Sequence, residues 1–470
     1  MIRNYFTYFS ENLYALNIFL SFLIIFYTSF YFPELNYFSI FLIFLSINFY
    51  LLKDILKFSN LLYKFFTLSL FIKLFFLHYI YTLGYDLGYV YGDIGGSDTL
   101  TYFHNSKIFL DFYHDPDFFF PVINKELVSI AFFKDASFLS YNAILRYLIP
   151  EITLEQISSF NIFLSTFSSI YFFRILTHLN VDKKIIIIAT ILSLIDLKLL
   201  FFSLFNLKET LINYLIIFIS YRAILIKYDT NYLRKFKSIF VILFVFLLIF
   251  LFREYVAVSL LIVFSSYIFL QIFKFKINLI LTTLFSFVLM STLYVFFLYL
   301  YGDTYLVLKE TLITYTENSI GSRITNLDIT DNPINFLIHL SSGIIGIFPL
   351  FEFYTHYMEL EKISLIFFHL LLILSIFGFI KIINNNLIDK KTLILFLFVL
   401  LILFFSTLGS FGTSPFIRYS VHLNYALIYF AAFYLEKNIW IKVRQSILIY
   451  LVLQVLLIIL YHLIKIFINL

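Results

Sequence analysis

Long apolar runs separated by short polar stretches make up most of the chain. A helix needs about 20 apolar residues to cross roughly 30 Å of hydrocarbon, and by that criterion we predict about 13 membrane-spanning helices. They fall at 13–32, 36–52, 61–82, 153–177, 185–204, 208–227, 237–252, 255–273, 277–301, 363–383, 391–410, 417–435 and 446–468. The predicted fold class is therefore all-α, a polytopic transmembrane helical bundle that forms one integral membrane domain over residues 1–470.

Composition supports that fold class. Of the 470 residues, 62% are hydrophobic and 13% are charged, whereas a soluble domain carries about 25% charged residues. The absence of cysteine excludes thiol catalysis, iron–sulfur clusters and cysteine-bound zinc. No glycine-rich nucleotide loop or nucleic-acid module is recognisable, so nucleic acid is not an expected partner. The predicted membrane spans make membrane lipids expected partners.

The orientation follows from lysine and arginine in short loops, which stay cytoplasmic in membrane proteins. With a cytoplasmic N-terminus, one face collects Lys53, Lys57, Lys64, Lys183, Lys184, Lys227, Arg234, Lys235, Lys237, Lys274, Lys276, Lys390, Lys391, Lys437, Lys442 and Arg444. This arrangement requires that the apolar run 336–353 does not cross. Its Gly343, Gly346 and Pro349 favour a re-entrant or interfacial segment buried against protein.

Two larger loops then lie on the external face. The charged residues of the first loop, 83–150, are mostly acidic. Its apolar stretch 127–149 is interrupted by Lys134, Asp135 and Arg146. Such a stretch is typical of an amphipathic helix on the membrane surface. The second, 302–356, consists of a polar loop followed by the re-entrant segment, and holds Arg323 in a Gly-Ser-Arg turn.

The stretch 92–107 of the first loop concentrates chemically versatile side chains. Asp93 and Asp98 flank a Gly-Gly pair, and Tyr102 and His104 follow at the start of a predicted helix. One interpretation is an ordinary surface helix capped by Ser97 or Asp98. The other is a reactive site, which the positions of further external charges favour.

Three tight external turns also present charges. They place Lys208 with Glu209, Arg253 with Glu254, and Arg418 near the start of a late helix. Polar residues that end helices in water would explain each pair alone. Because all three turns are predicted on the face that carries Asp98, we expect them to line one outward cavity. Charged residues near membrane depth are often functional.

Arginine binds phosphate bidentately, and a carboxylate near a hydroxyl can act as a general base. Together they suit transfer of a sugar from a lipid phosphate to a hydroxyl acceptor. Asp98 would deprotonate the acceptor, and the basic groups would stabilise the leaving phosphate.

Two charged residues, Asp196 and Lys198, lie within the span predicted at 185–204. Asp196 and Lys198 are two residues apart and do not share a face of a continuous helix, so packing is the favoured role for both. The cofactor stays unassigned. His104, His114, Asp115 and Asp117 could hold a divalent ion, but their spacing matches no metal signature, and no metal ligand is predicted.

Several short motifs resemble landmarks of one superfamily. They are Gly-Ser-Asp-Thr-Leu-Thr-Tyr at 96–102, the span from Asn161 to Arg174, Asn-Leu-Lys-Glu-Thr-Leu at 206–211, and the late Arg418-Tyr419 helix. Together they resemble the GT-C-fold membrane glycosyltransferases of the dolichyl-phosphate-mannose-mannosyltransferase type. The resemblance implies a polyprenyl-phosphate-sugar donor, Asp98 as the acidic base, and Glu209 as a second acidic residue.

We therefore expect an enzyme, a glycosyltransferase that moves a hexosyl or pentosyl group from a lipid-linked donor to a glycan or lipid acceptor. It would act on the outer face of the bacterial inner membrane in surface glycan assembly. The expected catalytic residues are Asp98 and Glu209; the expected substrate-binding residues are Asp93, Tyr102, His104, Lys208, Arg253, Glu254, Arg323 and Arg418. An O-antigen-type polysaccharide polymerase and a lipid-linked oligosaccharide flippase or transporter are the alternatives.

Overall fold

The computed structural model describes residues 36–87, 102–107, 130–149, 151–228, 231–272, 359–385, 392, 395, 397–403 and 420–468. Every regular element within these residues is a helix, which confirms the all-α class there. The chain divides into two compact units. The first comprises Met1–Phe252 and Tyr354–Phe367, and the second comprises Arg253–Phe353 and Phe368–Leu470. Each unit is described separately.

Most helices of the first unit overlap the predicted spans. They are α1 (Asn36–Phe58), α2 (Asn60–Leu87), α3 (Ile130–Leu148), α4 (Leu154–His178), α5 (Lys183–Ile195), α6 (Leu197–Leu204), α7 (Lys208–Tyr228) and α8 (Tyr232–Phe252). A short helical segment, 102–107, lies between α2 and α3. The helix α3 occupies the stretch in which a surface helix was predicted.

Helix α4 is the centre of the first unit, because it is buried on nearly all sides. It begins with a capping box: Thr153 Oγ1 accepts from the Gln156 backbone N–H, and the Gln156 side chain accepts from the Thr153 N–H. A Thr-x-x-Gln sequence before an apolar run is the signal for that start. Small polar residues along α4 allow close approach of its neighbours, as in other membrane bundles.

Helix α1 packs parallel to α4 through aromatic rings at helical spacing. Tyr37 contacts Phe160 at 6.1 Å between ring centroids, and Phe41 contacts Phe163 at 5.1 Å. Further along both helices, Arg174 donates to Asp54 at 2.7 Å. Helices α1 and α4 therefore run in the same direction.

Helix α2 runs opposite to α4, since Tyr81 bonds to Ser158 whereas Lys73 bonds to Ser165. Helix α7 runs parallel to α4, with Tyr214 beside Phe167 and Tyr221 beside His178. The Thr153 end of this unit, where 102–107 also lies, is called the loop end.

The opposite end of the first unit is called the basic end. The helices α1, α4 and α7 finish there, and α2, α5 and α8 begin there. It collects the exposed Lys57, Lys64, Lys183, Lys184, Arg234 and Lys237. Lys183 lies over the Phe58 ring at 5.3 Å, which joins the start of α5 to the end of α1.

One predicted span is interrupted. The run expected at 185–204 forms two helices, α5 and α6, that are bent by 40° at Asp196. Asp196 is extended there, and its Oδ1 accepts from the Leu199 backbone N–H at 2.8 Å. The side chain thus replaces a backbone acceptor at the new helix start.

The second unit contains α9 (Glu254–Ile272), most of α10 (Glu359–Asn384), a 3-10 helix (Ser420–Leu423), α11 (Asn424–Leu435) and α12 (Ile439–Ile468). Helices α10 and α11 pack closely at Gly378, where a Cβ atom would overlap the Phe430 carbonyl group. Ser375 donates to the Leu427 carbonyl oxygen at 2.7 Å, and Lys381 pairs with Glu436 at 3.0 Å.

Six helices of the described part are long and apolar enough to cross a membrane, or seven if the bent pair counts as one span. The predicted spans 13–32 and 277–301 and the re-entrant segment 336–353 lie outside the described residues.

Candidate functional site

The turn between α6 and α7 is built by hydrogen bonds to the last carbonyl groups of α6. Asn161 Nδ2 donates to the Phe205 carbonyl oxygen at 2.7 Å, and the Leu207 N–H donates to the same oxygen at 2.8 Å. Thr210 Oγ1 donates to the Phe202 carbonyl oxygen at 2.9 Å. The turn is therefore fixed both by its own chain and by the central helix α4.

The polar side chains of this turn point into the protein. The exposed fraction is 0% for Asn206, 2% for Lys208 and 0% for Glu209. Polar residues that merely end a helix in water would be exposed. Burial of an ammonium group and a carboxylate costs free energy that has to be offset by partners. Lys208 and Glu209 therefore do not simply end a helix in water.

The segment 102–107 of the first loop lies against this turn. The Lys208 ammonium group is 5.9 Å from the centroid of the Tyr102 ring. Tyr102 is buried and also makes an edge contact with Phe138 of α3, at 5.0 Å between centroids. Phe138 in turn contacts Phe252 at the end of α8. The structure thus brings together two expected site residues, Tyr102 and Lys208.

Arg146 of α3 anchors the same segment. Its Nε donates to Ser106 Oγ at 2.8 Å, and its terminal nitrogen donates to the Phe103 carbonyl oxygen at 2.8 Å. Its guanidinium group also lies 3.9 Å from the Phe103 ring centroid. Burial lowers the pKa of Arg146. In the sequence Arg146 is recognisable only as a charge that interrupts an apolar stretch, because nothing local shows a partner 40 residues away.

The other expected site residues are distributed as follows. His104 is exposed on the segment 102–107. Arg253 is buried and belongs to the second unit, where its carbonyl oxygen accepts from the Val256 and Ala257 N–H groups. Glu254 begins α9. The remaining four, Asp93, Asp98, Arg323 and Arg418, lie outside the described residues.

A second polar cluster lies deeper in the first unit, at the break between α5 and α6. Lys73, Asp196 and Lys198 are all buried, and the Asp196 carboxylate attracts both ammonium groups. Lys73 donates to Ser165 at 3.2 Å, about halfway along α4. Ionisable residues at such depth mark functional sites in many membrane proteins.

The assumption that Asp196 and Lys198 lie on one continuous helix is wrong, because the helix breaks at Asp196. Both side chains are buried, as the favoured packing role predicts. A signal existed in the sequence, since aspartate is a strong N-cap residue. It was outweighed by the apolar residues on both sides.

No group of three or more histidine, aspartate or glutamate side chains that could hold a metal ion occurs among the described residues. The four residues considered for a divalent ion include three, His114, Asp115 and Asp117, outside the described part.

The described fold and its apolar helices define the class, an all-helical protein with several helices that could span a membrane. No known protein family, no curated protein and no solved structure matches the chain.

Proposed function

We propose that this protein is a membrane glycosyltransferase of GT-C type with about 13 spans. It moves a sugar from a polyprenyl-phosphate carrier to a hydroxyl acceptor on the outer face of the bacterial inner membrane. The carrying observation is the buried Lys208–Glu209 turn, with Tyr102 of the first loop against Lys208. A cation, a carboxylate and a loop aromatic meet at one end of the bundle.

The position of Lys208 favours an anionic ligand. It occupies the first residue of α7, where the helix dipole is positive and a cation is unfavourable. The first N–H groups of a helix also lack intrahelical acceptors. A phosphate group of the donor would be stabilised there by the ammonium charge and by the positive end of the helix.

Residues of this chain can accept the proton and stabilise the charge that the proposed reaction produces. The acceptor hydroxyl oxygen bonds to the anomeric carbon while the bond from that carbon to the phosphate oxygen breaks. The phosphate leaves with the electron pair, and Lys208 stabilises its charge. Asp98, four residues before Tyr102, takes the hydroxyl proton, and Glu209 orients the acceptor or donor by hydrogen bonding.

The distribution of charge supports the sidedness of this proposal. The basic end of the first unit carries exposed lysines and arginines, and the Lys208–Glu209 turn lies at the loop end. Basic residues in short loops are retained in the cytoplasm. The turn is then external, where the donor and acceptor of surface glycans meet.

The cluster of Lys73, Asp196 and Lys198 favours a second candidate function, transport of a lipid-linked oligosaccharide. Broken helices with charged residues near the bilayer midplane are common at the substrate sites of transporters. The 40° break at Asp196 places a broken helix beside buried charged residues.

The surface-glycan profile of a deletion strain tests the proposal, after complementation with wild type, Asp98→Asn or Glu209→Gln. Loss of one sugar per glycan, unrescued by either variant, supports transfer; Glu155→Gln, at the same end of the bundle, is the control and should rescue. Glycans shortened to one repeat would indicate a polymerase. Complete lipid-linked units accumulating inside the cell would indicate transport. An unchanged profile would contradict the proposal.

A further inference from the structure

Asn206 stands out among the residues of the α6–α7 turn. Its side chain is completely buried, and neither Oδ1 nor Nδ2 has a hydrogen-bond partner among the residues that the structure describes. Buried amide groups in folded proteins almost always have such partners. An amide with both its donor and its acceptor unused is costly to keep.

The turn does not require this side chain. The Phe205 carbonyl oxygen accepts from Asn161 and from the Leu207 N–H, and the Phe202 carbonyl oxygen accepts from Thr210. Asn206 contributes to none of these bonds. A smaller or apolar residue at 206 would therefore leave the bonds that hold the turn in place.

We propose that the Asn206 amide binds a hydroxyl group of the transferred sugar or of its acceptor. This inference deepens the proposed function and rests on it, because it names the part of the substrate that this turn recognises. Lys208 and Glu209, two and three residues further on, would then face the phosphate and the reacting end of the same substrate.

The chemistry of the amide selects a hydroxyl group. A carboxamide offers two N–H donors and one acceptor oxygen, and both kinds are unused in Asn206. A phosphate group only accepts hydrogen bonds, and a metal cation would engage only the oxygen. A sugar hydroxyl donates and accepts, so it satisfies both halves of the amide. Since Asn206 has no exposed surface, neighbouring side chains must move to admit the sugar.

The first arm of the test measures thermal unfolding of the full-length protein in detergent, without ligand. Asn206→Leu and Asn206→Ala are compared with Asn161→Leu, whose amide bonds to the Phe205 carbonyl oxygen. We expect an unchanged or raised midpoint for at least one Asn206 variant and a lowered midpoint for Asn161→Leu. If both Asn206 variants fall as far as Asn161→Leu, the amide is structural and the inference is overturned.

The second arm uses lipid probes. The probes are geranylgeranyl phosphate and the same lipid carrying glucose, galactose, mannose or N-acetylglucosamine. We expect one sugar-bearing lipid to bind the wild type more tightly than the sugar-free lipid. Asn206→Leu should bind that sugar-bearing lipid about tenfold or more weakly than the wild type does. Its affinity for geranylgeranyl phosphate should be unchanged.

The outcomes separate the two proposals. Equal loss of both lipids in Asn206→Leu, or no loss of either, overturns the role of Asn206 and leaves the transferase proposal standing. A wild type that binds none of the lipids contradicts the proposed function. Free monosaccharides are then tested, and if they too fail to raise the unfolding midpoint of the wild type, the Asn206 inference is overturned as well.

Discussion

Arg146 of α3 and Ser106 of the first loop are joined by a 2.8 Å hydrogen bond from Nε to Oγ. The same guanidinium group bonds to the Phe103 carbonyl oxygen and covers the Phe103 ring. One side chain therefore holds a loop segment on the bundle through three contacts, two hydrogen bonds and one cation–π contact. That segment carries Tyr102, which lies against Lys208.

Replacing Arg146 should loosen the segment 102–107. Lysine keeps the charge but cannot make two directed bonds and stack as the planar guanidinium does. For Arg146→Lys we expect the free energy of opening to fall by about 1–3 kcal/mol, measured by hydrogen exchange of the backbone amides of 102–107. Arg174→Lys, which breaks the bond to Asp54 instead, is the control. Unchanged exchange in Arg146→Lys would show that other contacts hold the segment.

Lys208→Gln should weaken binding of a lipid phosphate. It removes the buried ammonium group at the start of α7, and hydrogen bonds to charged groups contribute about 1.5–3 kcal/mol. The expected loss of affinity for geranylgeranyl phosphate is about tenfold or more. Lys184→Gln, exposed at the basic end, should bind as the wild type does. Equal binding by both variants would remove Lys208 from the phosphate site.

Asp196→Asn separates the charge of Asp196 from its capping role. Asparagine can still accept from the Leu199 N–H, but the attraction to Lys73 and Lys198 is lost. Breaking a buried charge pair costs about 3–5 kcal/mol, which denaturant unfolding would detect.

Asp182→Asn is the matched control, because Asp182 caps α5 in an exposed position and should lose less than about 1 kcal/mol. A similar small loss in Asp196→Asn would mean that the buried charges contribute little to stability.

Gly378→Ala should destabilise the second unit. The added methyl group would overlap the Phe430 carbonyl group, and such overpacking costs about 1–3 kcal/mol. Thermal unfolding in detergent measures the change. Ser375→Ala, which removes a hydrogen bond to Leu427 on the same helix pair, should cost about 1 kcal/mol. A wild-type midpoint in Gly378→Ala would show that α10 and α11 can separate at no cost.

The sequence predicted helix positions well where the signals are local. The span expected at 153–177 is the helix Leu154–His178, and the one at 208–227 is Lys208–Tyr228. A sustained apolar run needs only its own residues to identify it, and the Thr153 capping box marks one of these starts.

Contacts between distant segments were not predictable in the same way. The break at Asp196 lacks glycine and proline, and Asp196 is buried near Lys73 of another helix. The bond from Arg146 to Ser106 spans 40 residues. The sequence indicated Lys208 and Glu209 as a pair but not that both are buried, because burial is decided by what packs around the turn.

The burial of α4 has a consequence for how the protein enters the membrane. Among the six candidate spans α4 has the lowest hydropathy, because it contains several serines and threonines and Asn161. It also has the largest buried share, and these polar side chains are buried against other helices. Polar residues make insertion of an isolated helix unfavourable. We therefore expect α4 to remain at the insertion machinery until it packs against α2, which carries Lys73, and against the turn after α6. The helices of the first unit would then enter the bilayer as a group.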